Sequence, residues 1–107
     1  MAKNHIRPGK TMPYTAGSDI TMGTVIEFAD MIGVALGDIA DGDTGELAIT
    51  EVWELAKDNA LAISQGDQLY WDTVNDEVDK TDTNVPCGKA FADAEEAATT
   101  VQVLLNV

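Results

Sequence analysis

Apolar and polar residues alternate in short runs along most of this chain, and turn signals break the runs at short, fairly regular intervals. The punctuation is GSDI at 17–20, MG at 22–23, IG at 32–33, GD at 37–38, DGDTG at 41–45, DN at 58–59, QGD at 65–67, ND at 75–76 and CG at 87–88. Between these points the pattern predicts strands: TVIEF (24–28), MIGVAL (31–36), ELAITEVWEL (46–55), QLYWD (68–72), EVDKT (77–81), CGKAF (87–91) and TVQVLLNV (100–107). In the last of these Val101, Val103, Leu105 and Val107 take one face while Gln102 and Asn106 take the other, the period of two that a half-buried strand requires. Leu47, Ile49, Trp53 and Leu55 also share a phase, which Glu51 breaks, so a bulge is expected there. Adjacent Tyr70 and Trp71 must point to opposite faces of their strand, so one of them lies outside the main core.

Helical readings compete in two places. EVWELAKDNALAI places Val52, Leu55 and Ala56 at helical spacing, but the strand-like run before it and the Asp58-Asn59 turn after it favour a strand end. ADAEEAA at 92–98 is rich in helix formers and fits one helical turn inside a loop. Short strands about 8 to 12 residues apart argue for an all-β fold, a small antiparallel barrel or sandwich, because an α/β fold needs helices of about ten or more residues between its strands.

A chain of 107 residues is enough for one domain with one modest core. No run approaches the roughly 20 apolar residues of a membrane span, and the first residues contain no apolar stretch of signal-peptide type, so a soluble protein made in the cytosol is expected. Cys87 is the only cysteine, which excludes an internal disulfide and a multi-thiolate zinc site and reads as a small packed side chain.

Charge sharpens this outline. Lys3, Arg7 and Lys10 are half of the 6 basic residues, and no acid precedes Asp19. Residues 1–17 therefore read as a flexible basic arm, and residues 18–107 as a single β domain holding all 19 acids against Lys57, Lys80 and Lys89. Phosphate contacts supply most nucleic-acid affinity through cationic side chains, so this polyanion is a poor ligand for DNA or RNA, and anionic membranes repel it as well. A neutral, apolar or basic protein surface is the partner that the charge permits; acid serving only solubility is the alternative.

No catalytic or metal constellation assembles. The run DIADGDTGELAITEVWEL at 38–55 suggests a calcium loop, yet frames starting at Asp38 or Asp41 place Ile49 or Val52 where a bidentate Glu is needed. Asp41-Gly42 and Thr44-Gly45 instead supply positions able to take positive φ in a tight turn. Gly9-Lys10-Thr11 ends like a nucleotide-binding loop, but Asn4 occupies the position of its first glycine. His5 is the only histidine, so no catalytic triad can form. The acids Asp76, Glu77, Asp79 and Asp82 read as a solvated hairpin edge. Neither an enzyme nor a cofactor is indicated.

The order of the pieces carries further information. GSDITMGTVIEF, IGVALGDIADGDTGELAI, EVWEL, ISQGDQLYWD and a closing TTVQVLLNV, over about residues 17–107, resemble the small decoration or cement proteins of tailed-phage capsids. In that family a Gly-Asp-Ile-type step leads the first strand, an IA-x-G-x-x-G turn precedes a strand ending in a hydrophobic-aromatic-Glu-Leu stretch, and a QG-x-x-hydrophobic-Tyr-Trp-Asp segment follows. This chain departs from the pattern at Glu51, where a glycine is frequent, and at VPCGKAF, where an apolar-Gly-Val strand is usual. The resemblance implies a structural virion protein, often a homotrimer, made in the bacterial host cytoplasm and bound to the major capsid protein on the outer capsid surface, where it strengthens the shell. Ile6, Arg7, Met12 and Tyr14 in the arm are the expected contact residues, joined by whichever of Tyr70 and Trp71 faces outward. A β-rich ligand- or carbohydrate-binding module, stacking sugar on Tyr70 or Trp71, is the rival reading.

Overall fold

The structure is a computed structural model that describes residues 9–107. Among these residues the chain forms nine strands and no helix: β1 (Thr11–Thr15), β2 (Val25–Glu27), β3 (Ile32–Ala35), β4 (Thr44–Ala48), β5 (Val52–Ala56), β6 (Gln68–Asp72), β7 (Glu77–Asp79), β8 (Val85–Ala90) and β9 (Thr100–Leu105). They build a four-stranded sheet of order β1-β4-β3-β2 and a five-stranded sheet of order β5-β9-β8-β6-β7, with antiparallel pairing in both. The sheets do not close into a barrel. They pack as a sandwich, with Ile32, Val34 and Ala48 of the first against Leu55, Leu69, Trp71, Val103 and Leu105 of the second.

The strand from 46 to 55 expected as one bulged element is two. The chain leaves the four-stranded sheet after Ala48 and enters the five-stranded one at Val52, and Glu51 makes the corner with a left-handed backbone, φ 75°. The shared apolar phase survives with two destinations, since Leu47 is buried in one core cluster and Leu55 in another. Leu105 N–H donates to the Glu51 carbonyl at 3.0 Å and Trp53 Nε1 donates to the Thr50 carbonyl at 3.0 Å, which fixes the corner on both sides.

Part of the expected arm is also sheet. Thr11–Thr15 pairs with β4 in the register Met12 to Leu47 and Tyr14 to Gly45, so these five residues of the expected arm are strand. Pro13 obscures this strand in the sequence, but β1 is an edge strand, where a residue without an N–H is tolerated. The 92–98 segment makes a single turn, with Ala98 N–H donating to the Glu95 carbonyl at 3.0 Å. VPCGKAF pairs with both β6 and β9, with a register shift opposite Cys87.

Asn106 ties the two sheets together. It follows β9 with a left-handed backbone, φ 55°, a conformation that Asn adopts more readily than most residues. That turn swings its side chain across to the other sheet. Its Oδ1 accepts from Ile32 N–H at 3.0 Å, while Nδ2 donates to the Ile32 carbonyl at 2.8 Å and to the Ile49 carbonyl at 2.9 Å. Its own N–H donates to the Cys87 carbonyl at 2.9 Å, anchoring the donor residue in the five-stranded sheet. The side-chain oxygen and both amide hydrogens are matched in kind. Asn106→Ala should therefore lower unfolding stability by about 2–3 kcal/mol, and Asn106→Asp should not restore it because a carboxylate would face two carbonyls. Urea titration of the three proteins checks this.

Candidate protein-contact surface

The four-stranded sheet buries apolar residues on both faces. Ladder register places Ile32, Val34 and Val25 toward the sandwich core and Met12, Tyr14, Leu47, Ala35 and Ile26 on the opposite face. On that opposite face Ala16, Ala35 and Leu47 form a floor. Ile20 and Ile39 fold over it from two loops that exchange backbone hydrogen bonds of 2.8 Å in both directions. Tyr14 and Phe28 come from the two edges of the sheet, yet their rings meet edge to face, 6.0 Å between centroids at 84°. Flat strands would hold those edges about 14 Å apart, so the sheet curls toward this side.

This second cluster is incompletely covered. Tyr14, Ile26 and Phe28 pack half-buried against it, Met12 lies half-buried beside Leu47 in the β1–β4 register, and Met22 and Leu36, on loops, are 70% and 42% exposed. A hollow of about 280 Å³ lies beside it between Ile20 and Ile39, flanked by Asp19 and Asp38. Isolated exposed apolar side chains are ordinary, but several gathered around one floor mark a surface suited to a protein partner.

The acids around this rim serve the loops. Asp19 Oδ1 accepts from Asp41 N–H at 2.9 Å and Asp38 Oδ1 from Met22 N–H at 2.9 Å. No group of three or more His, Cys, Asp or Glu is placed to hold a metal among the described residues. In the 41–45 turn Gly42 takes positive φ, 85°, as expected, but Gly45 does not. It is a strand residue whose missing Cβ would stand 2.5 Å from the Ile39 side chain, so glycine there admits Ile39 to the apolar floor.

The expected contact residues are distributed unevenly. Ile6 and Arg7 lie outside the described residues. Met12 and Tyr14 share the curled face of β1. Trp71 is the inward member of its pair at 4% exposure, and Tyr70 the outward one, lining a hollow of about 370 Å³ with Met31, Pro86 and Val107. Ile26 and Phe28 were recognisable only as strand residues; their phase in TVIEF opposes Val25, but a pattern of two does not say which phase meets solvent. The acidic hairpin is less solvated than expected. Asp79 is buried and accepts from Thr81 N–H at 3.1 Å and Asn84 Nδ2 at 2.9 Å, while desolvation, followed by the charges of Asp58, Asp72 and Asp79, raises the Glu77 carboxyl above its ordinary value.

A two-sheet β scaffold with an apolar rim has the form of a structural module. The comparison with known families agrees with that class: the chain matches the family described as phage cement protein over residues 6–105 and belongs to it. The family is structural and its members are virion components, associated with the phage capsid. No curated protein and no solved structure gives a significant match.

Cys87 fits the same picture. Burial, and after it the negative charge of Asp79, pushes its thiol up from 9.0 to about 12. A thiol attacks only as thiolate, so the native protein should remain unlabelled by a disulfide reagent at pH 8. Full labelling of one thiol per chain should appear only after unfolding in guanidinium, and spectrophotometric thiol counting in the two states checks it.

Proposed function

We propose that this protein is a capsid decoration protein: it binds the outside of a phage head, contacts the major capsid protein and copies of itself as a homotrimer, and stabilises the shell. It is made in the bacterial host cytoplasm and acts on the outer capsid surface. The observation that carries the reading is the apolar rim of the curled sheet in a chain of the phage cement family. The activity is attachment. Met12, Tyr14, Ile26 and Phe28 leave water at the contact, and the acidic surround sets which neighbours are accepted.

Such a contact need bury only about 800 Å² per partner, because several identical contacts made by one oligomer act at high effective concentration. The net charge of −13 opposes binding to packaged DNA and leaves a protein surface as the target. A sugar site at Tyr70 is less well supported. In that hollow the Asn106 side chain is engaged with Ile32 and Ile49, and Gln68 donates to the Leu69 and Gly88 carbonyls and accepts from Lys89 Nζ. Both amides are thus already committed to the fold.

Heads lacking this protein provide the test. The joint substitution Met12→Ser and Tyr14→Ser should weaken binding to them by about tenfold or more, the effect of losing an interface anchor, with the circular dichroism spectrum unchanged. Unaltered affinity in co-sedimentation with heads would remove the rim from the attachment surface.

A further inference from the structure

On the other side of the sandwich, the edges of β2 and β5 line one slot, and just past it the outer side of β5 is closed by β7, where Asp58 N–H bonds to the Val78 carbonyl. In the β5–β9 ladder, Leu105 N–H bonds to the Glu51 carbonyl and Lys57 N–H to the Thr99 carbonyl, so the odd-numbered residues face β9. The backbone groups of Val52, Glu54 and Ala56 consequently point away from it. In the β2–β3 hairpin, Ala35 N–H bonds to the Thr24 carbonyl and Phe28 N–H to the Met31 carbonyl, so the even-numbered residues face β3 and Val25 turns its backbone outward. Val25, Glu54 and Ala56 line one slot of about 340 Å³, with Asp76 at its margin and Trp71 in its wall. Trp71 Nε1 is buried and has no hydrogen-bond partner among the described residues, an indole donor that a folded protein ordinarily satisfies.

Unpaired strand edges accept an extended peptide, and Glu54 and Asp76 call for one carrying positive charge. Residues 18–107 offer three lysines in all, whereas Lys3, Arg7 and Lys10 stand within the first ten residues around Ile6. We infer that the slot between β2 and β5 receives the basic N-terminal segment, residues 1–8, of a second copy of this chain. A chain's own segment is poorly placed to do this. It starts from β1, at the opposite edge of the sheet from β2, and must pass three strand spacings, about 14 Å measured along the curled sheet, to reach the slot. Eight residues reach at most about 26–29 Å, so the crossing would use Arg7 and leave only the first few residues to lie in the slot. A head-to-tail exchange of this kind joins different surfaces of successive copies, and it closes into a ring when the rotation between them permits.

This inference rests on the self-association proposed above, and it is independent of head binding. The test uses the full chain with Ile6→Cys and Glu54→Cys made separately, mixed, and treated with a short bismaleimide; Cys87 is buried and stays silent. A cross-linked pair containing one of each variant, with removal of residues 1–8 converting the oligomer to monomer in sedimentation velocity, is the expected result. Nitrogen-edited NMR adds a readout: the Trp71 indole signal should shift on association while that of Trp53, bonded to Thr50, stays in place. A double variant cross-linked only within one chain would show the segment folding back on its own body and overturn the inference. So would an oligomer that survives truncation with no cross-link, or a Trp71 signal that shifts only when heads are added. A monomeric wild-type protein would overturn both this inference and the self-association beneath it.

Discussion

One amide side chain holds the relation between the two sheets. Asn106 makes three hydrogen bonds to the backbone of Ile32 and Ile49, and those residues bracket the four-stranded sheet at the start of β3 and just after β4. Apolar burial drives the sheets together without fixing their mutual angle, because it has no direction. The amide has direction. Its donors and acceptor meet backbone groups that would otherwise be left unpaired beside the core, and that requirement sets the position of one sheet on the other. The slot on the opposite side depends on it, since its walls come from β2 in one sheet and from β5 and β6 in the other.

Charge imposes the second constraint. With 19 acids and 6 bases, copies of this protein repel one another through their bodies, so a stable contact must be apolar or must bring cations to acid. The fold pairs charge locally where Lys80 meets Asp67 at 3.0 Å, and it holds the buried Lys57 ammonium by the backbone carbonyls of Asp58 and Glu96. Asp67 and Asp72 lie below the ordinary carboxylate range because backbone N–H groups, of Ser64 in the first case and of Val74 and Asn75 in the second, stabilise their charged forms. These are turn devices, and most of the remaining acid faces outward. Repulsion between bodies favours docking onto an oppositely charged or apolar surface over aggregation of identical faces.

Much of the scaffold was legible in the sequence. Period-two runs and turn residues located the strands, and QLYWD coincides with β6 to the residue. Three features were hidden for identifiable reasons. Pro13 and the basic residues masked β1, whose alternation is otherwise plain in Met12 and Tyr14. The 46–55 run kept one apolar phase through a corner, and only Glu51, read as a bulge, marked the place where the chain changes sheets. Asn106 counted as the polar side of an alternating strand, although its role depends on a left-handed backbone that no periodicity reveals. For the candidate contact surface, the sequence offered Met12 and Tyr14 but did not single out Ile26 and Phe28, which share their face, because pairing across the sheet decides which phase faces outward. The slot between β2 and β5 left no trace at all, being made of backbone groups whose direction follows from ladder parity.

The account holds that this protein acts by adhesion through a rigid β scaffold. Cryo-electron microscopy of the parent particle tests that most directly. The account predicts density for this chain on the outside of the shell, with Met12, Tyr14, Ile26 and Phe28 against the major capsid protein. Density on the inner, DNA-facing surface, or an outer position with that rim turned toward solvent, would contradict it.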